Sequence, residues 1–209
     1  MTEIRREPIP SHLEALFSAL RPDGSLVVAD GSPSRRVPPV SSMSEEEARF
    51  YYAGLPSAPI LVGRSSIPKW EPPTSPDTYQ KLQEFRASLD KPFDQDWDAN
   101  VASKRKALLD SAKLKSLYRS NKHPLMKVWE GNLRPQVCIY LDGLGLKWNS
   151  LDPFYIGWEG EFVPTLLIGV DPGSLDSHFG GIVAMVCRKF LFQQGVTDVE
   201  VEIREWVNS

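Results

Sequence analysis

The chain has 209 residues, of which 41% are hydrophobic and 24% charged, and its formal net charge is −3. That length suits one ordinary domain with an appendage, and the composition is adequate for a packed core. A negative balance argues against a nucleic-acid-binding protein whose whole surface is basic. The charge is uneven, because residues 101–150 hold ten Lys and Arg against three Asp and Glu, whereas residues 151–209 hold three against nine.

The two cysteines, Cys138 and Cys187, are too few for a disulfide framework or a four-thiolate zinc site. Both lie in apolar periodic segments, which predicts buried free thiols. No apolar run after the N-terminus is long enough for a signal peptide, and no stretch approaches the roughly 20 apolar residues of a membrane span. We therefore expect an intracellular protein, cytoplasmic or nuclear, with no membrane contact and no cofactor.

The first half of the chain is rich in proline, with thirteen of the eighteen prolines before residue 100. Capping-box spacings at residues 11–14 and 44–47 each predict the start of a short helix. Residues 59–62 predict an edge strand, and residues 76–89 predict a helix that begins with proline. We expect residues 1–122 to form a helical, Pro-rich and partly flexible N-terminal region.

Residues 101–121 are predicted as one long helix with many basic side chains. At 100° per residue these side chains do not gather on one face, which argues against the basic stripe typical of nucleic-acid binding. The helix is then either solvated or a docking surface for the acidic C-terminal region. Its candidate interaction residues are Lys104, Arg105, Lys115 and Arg119.

Residues 123–209 are predicted to form an α+β module with a small mixed sheet and the order α-β-β-α-β. A helix is expected at residues 134–144, strands at 147–158 and 162–170, a helix at 179–192 and a strand at 199–203. Asp152 and Pro153 are expected to interrupt the first of these strands, and Gly195 to end the second helix.

The last predicted strand alternates apolar and charged residues, as a half-exposed strand does. Val201 and Ile203 are expected to face the core. Glu200, Glu202 and Glu205 are then predicted to give the strand an acidic outer face, available to a partner.

The loop at residues 169–181 joins a strand to a helix and contains four glycines. Such loops hold phosphate in some proteins, but this one has no Lys-Ser/Thr after its glycines and no dinucleotide-binding spacing. We interpret it as a connection in which Asp176 or Ser177 caps the helix. Asp171, Asp176 and His178 are weak candidates for a divalent-cation site, and we predict no metal there.

A catalytic triad requires a nucleophile, a histidine and an acid brought together. Only His12, His123 and His178 are available, and no Gly-x-Ser-x-Gly elbow surrounds any serine. His123 precedes a proline in a basic linker, which is a poor setting for a buried base. We predict no catalytic residues.

Four phrases of the sequence are distinctive, at residues 55–66 (Leu-Pro-Ser-Ala-Pro-Ile-Leu-Val-Gly-Arg-Ser-Ser), 121–130, 168–175 and 195–205. Together they resemble a family of uncharacterised fungal proteins whose longer members continue into a trypsin-like domain. The resemblance covers roughly residues 50–75 and 120–207 and implies no functional residues. Because the chain stops two residues after Val207, we expect either a stand-alone version or a fragment.

Three hypotheses on function follow. The first is a non-catalytic interaction or accessory domain with a protein partner or self-association. It is motivated by the absence of a coherent set of catalytic residues and by the opposite charges of the basic middle region and the acidic C-terminal region. The second, which the resemblance implies, is a hydrolase-associated, protease-linked regulatory fragment. The third and weakest is nucleic-acid binding through the basic helix at residues 104–122. The sequence identifies no small-molecule substrate.

Overall fold

The computed structural model describes residues 43–55, 57–66, 70, 75–89, 97–109, 114–120, 122–158 and 160–206. The predicted capping box at residues 11–14 lies outside this part of the chain. The described elements, in chain order, are α1 (Glu45–Phe50), β1 (Leu61–Arg64), α2 (Pro76–Leu89), α3 (Trp97–Leu109), β2 (Ser116–Arg119), α4 (Leu125–Val128), a π-helix (Trp129–Leu133), α5 (Arg134–Gly143), β3 (Trp148–Trp158), β4 (Glu161–Val170), α6 (Ser177–Gln193) and β5 (Glu200–Glu205).

The five strands form one mixed sheet in the order β1-β5-β4-β3-β2. β4 and β5 run parallel, with α6 between them in the chain, and the other neighbours are antiparallel. The fold is therefore α+β, and the predicted order α-β-β-α-β is confirmed for α5 to β5. Both edge strands, β1 and β2, come from residues before 123 and complete this sheet.

Local capping chemistry confirms several predicted helix ends. Ser44 accepts a hydrogen bond from the backbone N–H of Glu47 at 3.1 Å and begins α1. Asp176 accepts one from the N–H of Phe179 at 2.9 Å and begins α6. Gly195, at φ +76°, follows the end of α6. These short signals fix the helix boundaries because each satisfies a backbone group that the helix itself leaves unpaired.

The predicted long helix at residues 101–121 is wrong. α3 ends at Leu109, and residues 116–119 form β2, which pairs with β3. Leu117 packs against the apolar cluster on the sheet, and this tertiary pairing overrides the helix preference of a Leu- and Lys-rich segment. The predicted interruption at Asp152 and Pro153 is also wrong, because β3 runs through both residues.

A π-helix between α4 and α5 is a feature that the sequence pattern did not predict. The N–H of Arg134 bonds to the carbonyl of Trp129, five residues earlier. Pro135 follows at once, and a proline inside a helix has no N–H and clashes with the carbonyl four residues before it. The π-helical turn therefore changes the hydrogen-bond spacing immediately before Pro135, which cannot make the regular α-helical hydrogen bond.

The sheet has two differently covered faces. On the first face, Leu166, Ile168 and Ile203 belong to the largest apolar cluster, together with side chains of α5 and α6. On the second face, Leu167 and Ile156 pack against an apolar group that follows α1, which consists of Tyr51, Tyr52 and Leu55. A third cluster joins α2 and α3 through Leu82, Phe85 and Leu108.

The N-terminal end of α6 lies directly on β1. A Cβ atom added to Gly63 would lie 2.2 Å from the carbonyl carbon of Gly180 and 2.5 Å from the nitrogen of Gly181. Backbone therefore touches backbone here, and no flexible side-chain tip is available to move aside. A helix can approach a strand this closely only where glycine occupies the contact.

We expect Gly63→Ala to destabilise the protein by about 1–3 kcal/mol, the usual effect of overpacking a closed contact. Urea unfolding followed by circular dichroism measures the change. Gly143→Ala is the matched control, because a Cβ there meets nothing within 4 Å. Equal stability of the two variants would contradict the close contact between β1 and α6.

Candidate functional site

The second face of the sheet carries a buried polar group at its centre, the carboxylate of Glu202. Oε1 of Glu202 accepts a hydrogen bond of 2.5 Å from the hydroxyl of Tyr51, and Oε2 accepts one from the hydroxyl of Tyr52. Glu202 is only 5% exposed. Burying a carboxylate is unfavourable unless donors replace its water, and the two adjacent tyrosines supply them.

Further charged side chains surround this carboxylate. Nζ of Lys115 lies 4.0 Å from Oε1 of Glu202 and 3.3 Å from the centre of the Tyr51 ring. Arg64 pairs with Glu47 at 2.5 Å, and its guanidinium lies 5.4 Å from the same ring. We call the six residues the Glu202 cluster: Glu47, Tyr51, Tyr52, Arg64, Lys115 and Glu202.

Burial shifts the titration of three members of the Glu202 cluster. It lowers the pKa of Lys115 to about 8, against the partly opposing attraction of Glu202. Burial, reinforced by the negative charge of Glu202, raises the pKa of Tyr51 and Tyr52 above their ordinary value. The tyrosines therefore remain hydrogen-bond donors at neutral pH.

The predicted acidic outer face of β5 is wrong. β5 lies between β1 and β4, and Glu202 is buried rather than presented to solvent. Glu200 pairs with Arg188 at 2.8 Å, and Glu205 accepts a hydrogen bond from the N–H of Gly173 at 2.8 Å. Alternation correctly placed Glu202 opposite the core, but Glu205 lies three positions further on and takes the face of Val201 and Ile203. Alternation also did not reveal that α1 and the residues after it cover the face of Glu202.

The predicted basic candidates separate in the structure. Arg105, on α3, donates to the carbonyl of Gly54 at 2.9 Å, and Lys104 on the same helix is half-buried. Lys115 is in the Glu202 cluster, and Arg119 is exposed at the end of β2. The basic and acidic regions thus meet inside the molecule, at Lys115 and Glu202.

The weak metal candidates do not come together. Asp171 accepts a hydrogen bond from Asn149, Asp176 caps α6 and His178 is exposed. Across the residues that the structure describes, no group of three or more His, Cys, Asp or Glu is placed to hold a metal ion.

His123 lies in a different setting from the one predicted, since it is buried and paired with an acid. Its Nδ1 accepts the N–H of Leu125 at 3.1 Å, and its Nε2 lies 3.2 Å from Oδ2 of Asp198. The proton of the neutral ring is then on Nε2 and is donated to Asp198. Both nitrogens are engaged, so this pair anchors the chain and has no free nitrogen to accept a proton from a nucleophile.

The outer edge of β3 is covered by β2 over only part of its length. β3 has eleven residues, but β2 pairs only with Phe154 to Gly157. Residues 148–153 pair with β4 alone among the described residues. Such an edge presents free backbone donors and acceptors to an added strand.

The direction of the backbone groups on this edge follows from the register. The carbonyl of Val170 accepts from Trp206, next to β5, whereas the N–H of Asp171 donates to Lys147, next to β3. Even-numbered residues of β4 therefore point their backbone groups toward β5. The antiparallel partners of these β4 residues in β3 include Leu151 and Pro153. The backbone groups of Leu151 and Pro153 therefore point away from β4, toward the free edge. Pro153 has no N–H to lose there, which explains why it does not interrupt β3.

Two clefts flank the free edge of β3. The Arg204 cleft, of about 440 Å³, lies on the second face and is lined by residues including Leu117, Ser150 and Arg204. The Arg119 cleft, of about 350 Å³, lies beyond the end of β2 and is lined by residues including Arg119, Met126 and Arg134. Asp152 and Phe154 line both.

Sequence reasoning missed Arg204 and Asp152 as site residues. A signal existed for Arg204, because it follows Glu202 by two positions and so shares its face of the strand. No comparable signal existed for Asp152, whose position depends on where β2 ends. The two cysteines are free thiols, as predicted, with Cys187 buried and Cys138 half-buried.

Comparison with known proteins does not classify this arrangement: no protein-family model, curated protein or solved structure matches the chain. In the described part of the chain, none of the helices has the length and apolar character that crossing a bilayer requires.

The lowered pKa of Lys115 predicts a pH-dependent stability. Between about 8 and the ordinary value of 10.5, the unfolded chain holds a proton that the folded protein has released, so stability rises with pH. Lys115→Met removes this group. We expect the stability difference, wild type minus variant, to grow between about pH 7.5 and about pH 9.5 in urea titrations, below the range where tyrosines titrate. A constant difference would contradict the burial of a charged Lys115.

Tyr52→Phe removes one of the two donors to Glu202. We expect a loss of about 1–3 kcal/mol, because a buried acceptor is left without a partner. Tyr118→Phe is the control, since Tyr118 is 57% exposed, and its effect should stay within about 0.5 kcal/mol. Thermal and urea unfolding measure both, and equal losses would show that the hydroxyl of Tyr52 does not hold Glu202.

Proposed function

We propose that the chain is a non-catalytic interaction module that binds an extended segment of a partner protein along the free edge of β3. The observation that carries this proposal is the outer side of residues 148–153, which pairs with no other strand in the described part of the chain and lies between two clefts. Recognition by strand addition obtains affinity from backbone hydrogen bonds and specificity from side-chain pockets.

The dimensions of the edge suit this occupant. The run 148–153 has six residues, the usual length of a strand, with a shift of register between Trp148 and Ser150. An added strand continues the line of β2, which ends at Arg119 opposite Phe154. Its side chains alternate between the two faces, so neighbouring residues enter the Arg204 cleft and the Arg119 cleft in turn.

The edge is also limited in a way that favours selective binding. Leu151 offers an N–H and a carbonyl, but Pro153 offers only a carbonyl. A proline on an edge strand is a common defence against unspecific pairing. Backbone bonds alone then give little affinity, and the side chains in the clefts decide which segment binds.

An intracellular location is part of this proposal, supported by the two free thiols, Cys138 and Cys187. The hydrolase-associated alternative is left with the family resemblance, because Asp171, Asp176 and His178 form no common site in the described part of the chain and His123 has both ring nitrogens engaged. The nucleic-acid hypothesis requires one basic helix over residues 104–122, and α3 ends at Leu109.

Amide hydrogen exchange tests whether the edge is free. We expect the N–H of Leu151, which faces outward, to exchange much faster than the N–H of Asp152, which faces β4, although Leu151 is only 5% exposed. Residue-resolved NMR measures both rates. Equal, strong protection of the two amides in the isolated protein would mean that the edge is already occupied and would overturn the proposal.

Binding is tested with a phage-displayed library of random twelve-residue peptides. Selected peptides should protect the N–H of Leu151, and Asp152→Arg, at the lip shared by both clefts, should weaken them at least tenfold. Asp77→Arg makes the same exchange at an exposed aspartate of α2 and should change nothing. Peptides that bind without protecting Leu151, or dimerisation of the protein that protects it instead, would reject an extended partner segment as the occupant.

A further inference from the structure

Among the described residues, Arg204 is a buried cation without a bonded partner. It is only 7% exposed, and Nε of its guanidinium has no hydrogen-bond partner. Within the described ranges no ion pair or hydrogen bond to this side chain exists, and its guanidinium carbon lies 4.2 Å from the ring centre of Trp206. A guanidinium removed from water ordinarily has an anion or several acceptors beside it.

The acidic groups nearest to Arg204 do not fill that role. Glu202 lies on the same face of β5, but its two oxygens accept from Tyr51 and Tyr52. Asp152 is exposed at the lip of the cleft, farther than an ion-pair distance from the guanidinium. Burial lowers the pKa of Arg204, with Asp152 and Glu202 among the groups that oppose this shift. The cation is therefore exposed to negative potential but has no bonded anion in the described part of the chain.

The space next to Arg204 has the form of a small-molecule site. The Arg204 cleft of about 440 Å³ is within the range of roughly 300–1,000 Å³ typical of such sites. Three polar residues, Ser57, Ser150 and Asp152, line it together with Arg204. Its apolar lining comes from Leu55, Leu117, Phe154 and the indole of Trp206.

Gly169, the cross-strand partner of Arg204, keeps this part of the sheet without a side chain. A Cβ atom at position 169 would lie 2.2 Å from Oγ of Ser150 and 3.2 Å from Cβ of Trp206. Any other residue there would displace Ser150 and Asn149, whose Oδ1 would lie 2.6 Å from the Cβ atom, and would press on Trp206. The glycine therefore lets Ser150 and Trp206 come together beside the guanidinium.

We propose that the Arg204 cleft binds a small organic carboxylate with an apolar or aromatic body. The carboxylate pairs with the guanidinium of Arg204, whose planar fork matches two carboxylate oxygens. The body packs against Leu117, Phe154 and Trp206, and a donor group on the ligand reaches Asp152. The carboxylate requires no backbone bond to β3, but it occupies the cleft that a side chain of an added strand would enter, so the two occupants exclude each other there.

The size of the cleft favours a free molecule over an acidic peptide side chain as the source of the carboxylate. An aspartate or glutamate side chain brings only one or two methylene groups, which leaves most of the apolar lining without contact. A free molecule with one ring covers that lining and still reaches the guanidinium.

Titration of the full chain with 3-phenylpropionate and with its amide, 3-phenylpropanamide, tests the proposal. We expect the carboxylate to bind at least tenfold more tightly than the amide and to shift the Nε–H signal of Arg204 and the indole signal of Trp206 in NMR spectra. Equal affinity for the two probes, or shifts confined to other residues, would overturn the proposal. This comparison uses the unaltered protein and does not depend on any variant folding.

Two kinds of variant strengthen the test. Arg204→Met should abolish the preference for the carboxylate, whereas Arg204→Lys should keep part of it. Ser57→Trp alters an exposed lining residue and should block both probes while leaving Arg204 in place.

A capped six-residue peptide with one glutamate among valines tests the source of the carboxylate. If only this peptide binds in an Arg204-dependent manner, the carboxylate comes from a protein segment and the small-molecule assignment is wrong.

Discussion

The double hydrogen bond from Tyr51 and Tyr52 to Glu202 is the constraint on which the rest of the second face depends. It brings the end of α1 onto β5, two elements that lie about 150 residues apart in the chain. A carboxylate in an apolar layer destabilises a fold unless its donors are held in place. Both tyrosines are themselves buried in the apolar cluster, so packing fixes the positions of their hydroxyl groups. Those hydroxyl groups in turn make the burial of the Glu202 carboxylate possible.

The Glu202 cluster also explains why two opposite charge balances coexist in one chain. Lys115 comes from the basic region and Glu202 from the acidic one, and they approach within 4.0 Å beside the ring of Tyr51. A Cβ atom at Gly54 would lie 2.3 Å from the carbonyl oxygen of Lys115, so the backbone of residues 114–115 runs directly against the turn after α1. Part of the opposite charge of the two regions is thus paired inside the fold and does not lie on the surface.

The elements that sequence reasoning predicted correctly are those with local causes. α2 and α6 begin at capping residues, and the residue types of β5 alternate between apolar and charged although its four central residues are all buried. β2 and the burial of Glu202 have distant causes, because each depends on a segment far away in the chain. A four-residue strand such as Ser116–Arg119 has too few positions to show a period. The Arg204 cleft escaped prediction for the same reason, since its walls come from β2, β3, β5 and the turn after α1.

The free edge of β3 follows from two fixed points that bracket β2. Lys115 is held in the Glu202 cluster, and His123 is held by Asp198 and by the N–H of Leu125. β2 therefore ends once Arg119 has paired with Phe154, because the chain must then turn toward His123. A longer β2 would cover Leu151 and Pro153, but it would have to pull His123 away from Asp198 or Lys115 out of the Glu202 cluster. The same anchoring places Arg119 at one cleft and Leu117 at the other. These two polar contacts hold the edge in position, which would reduce the entropy lost if a partner segment added to it as proposed.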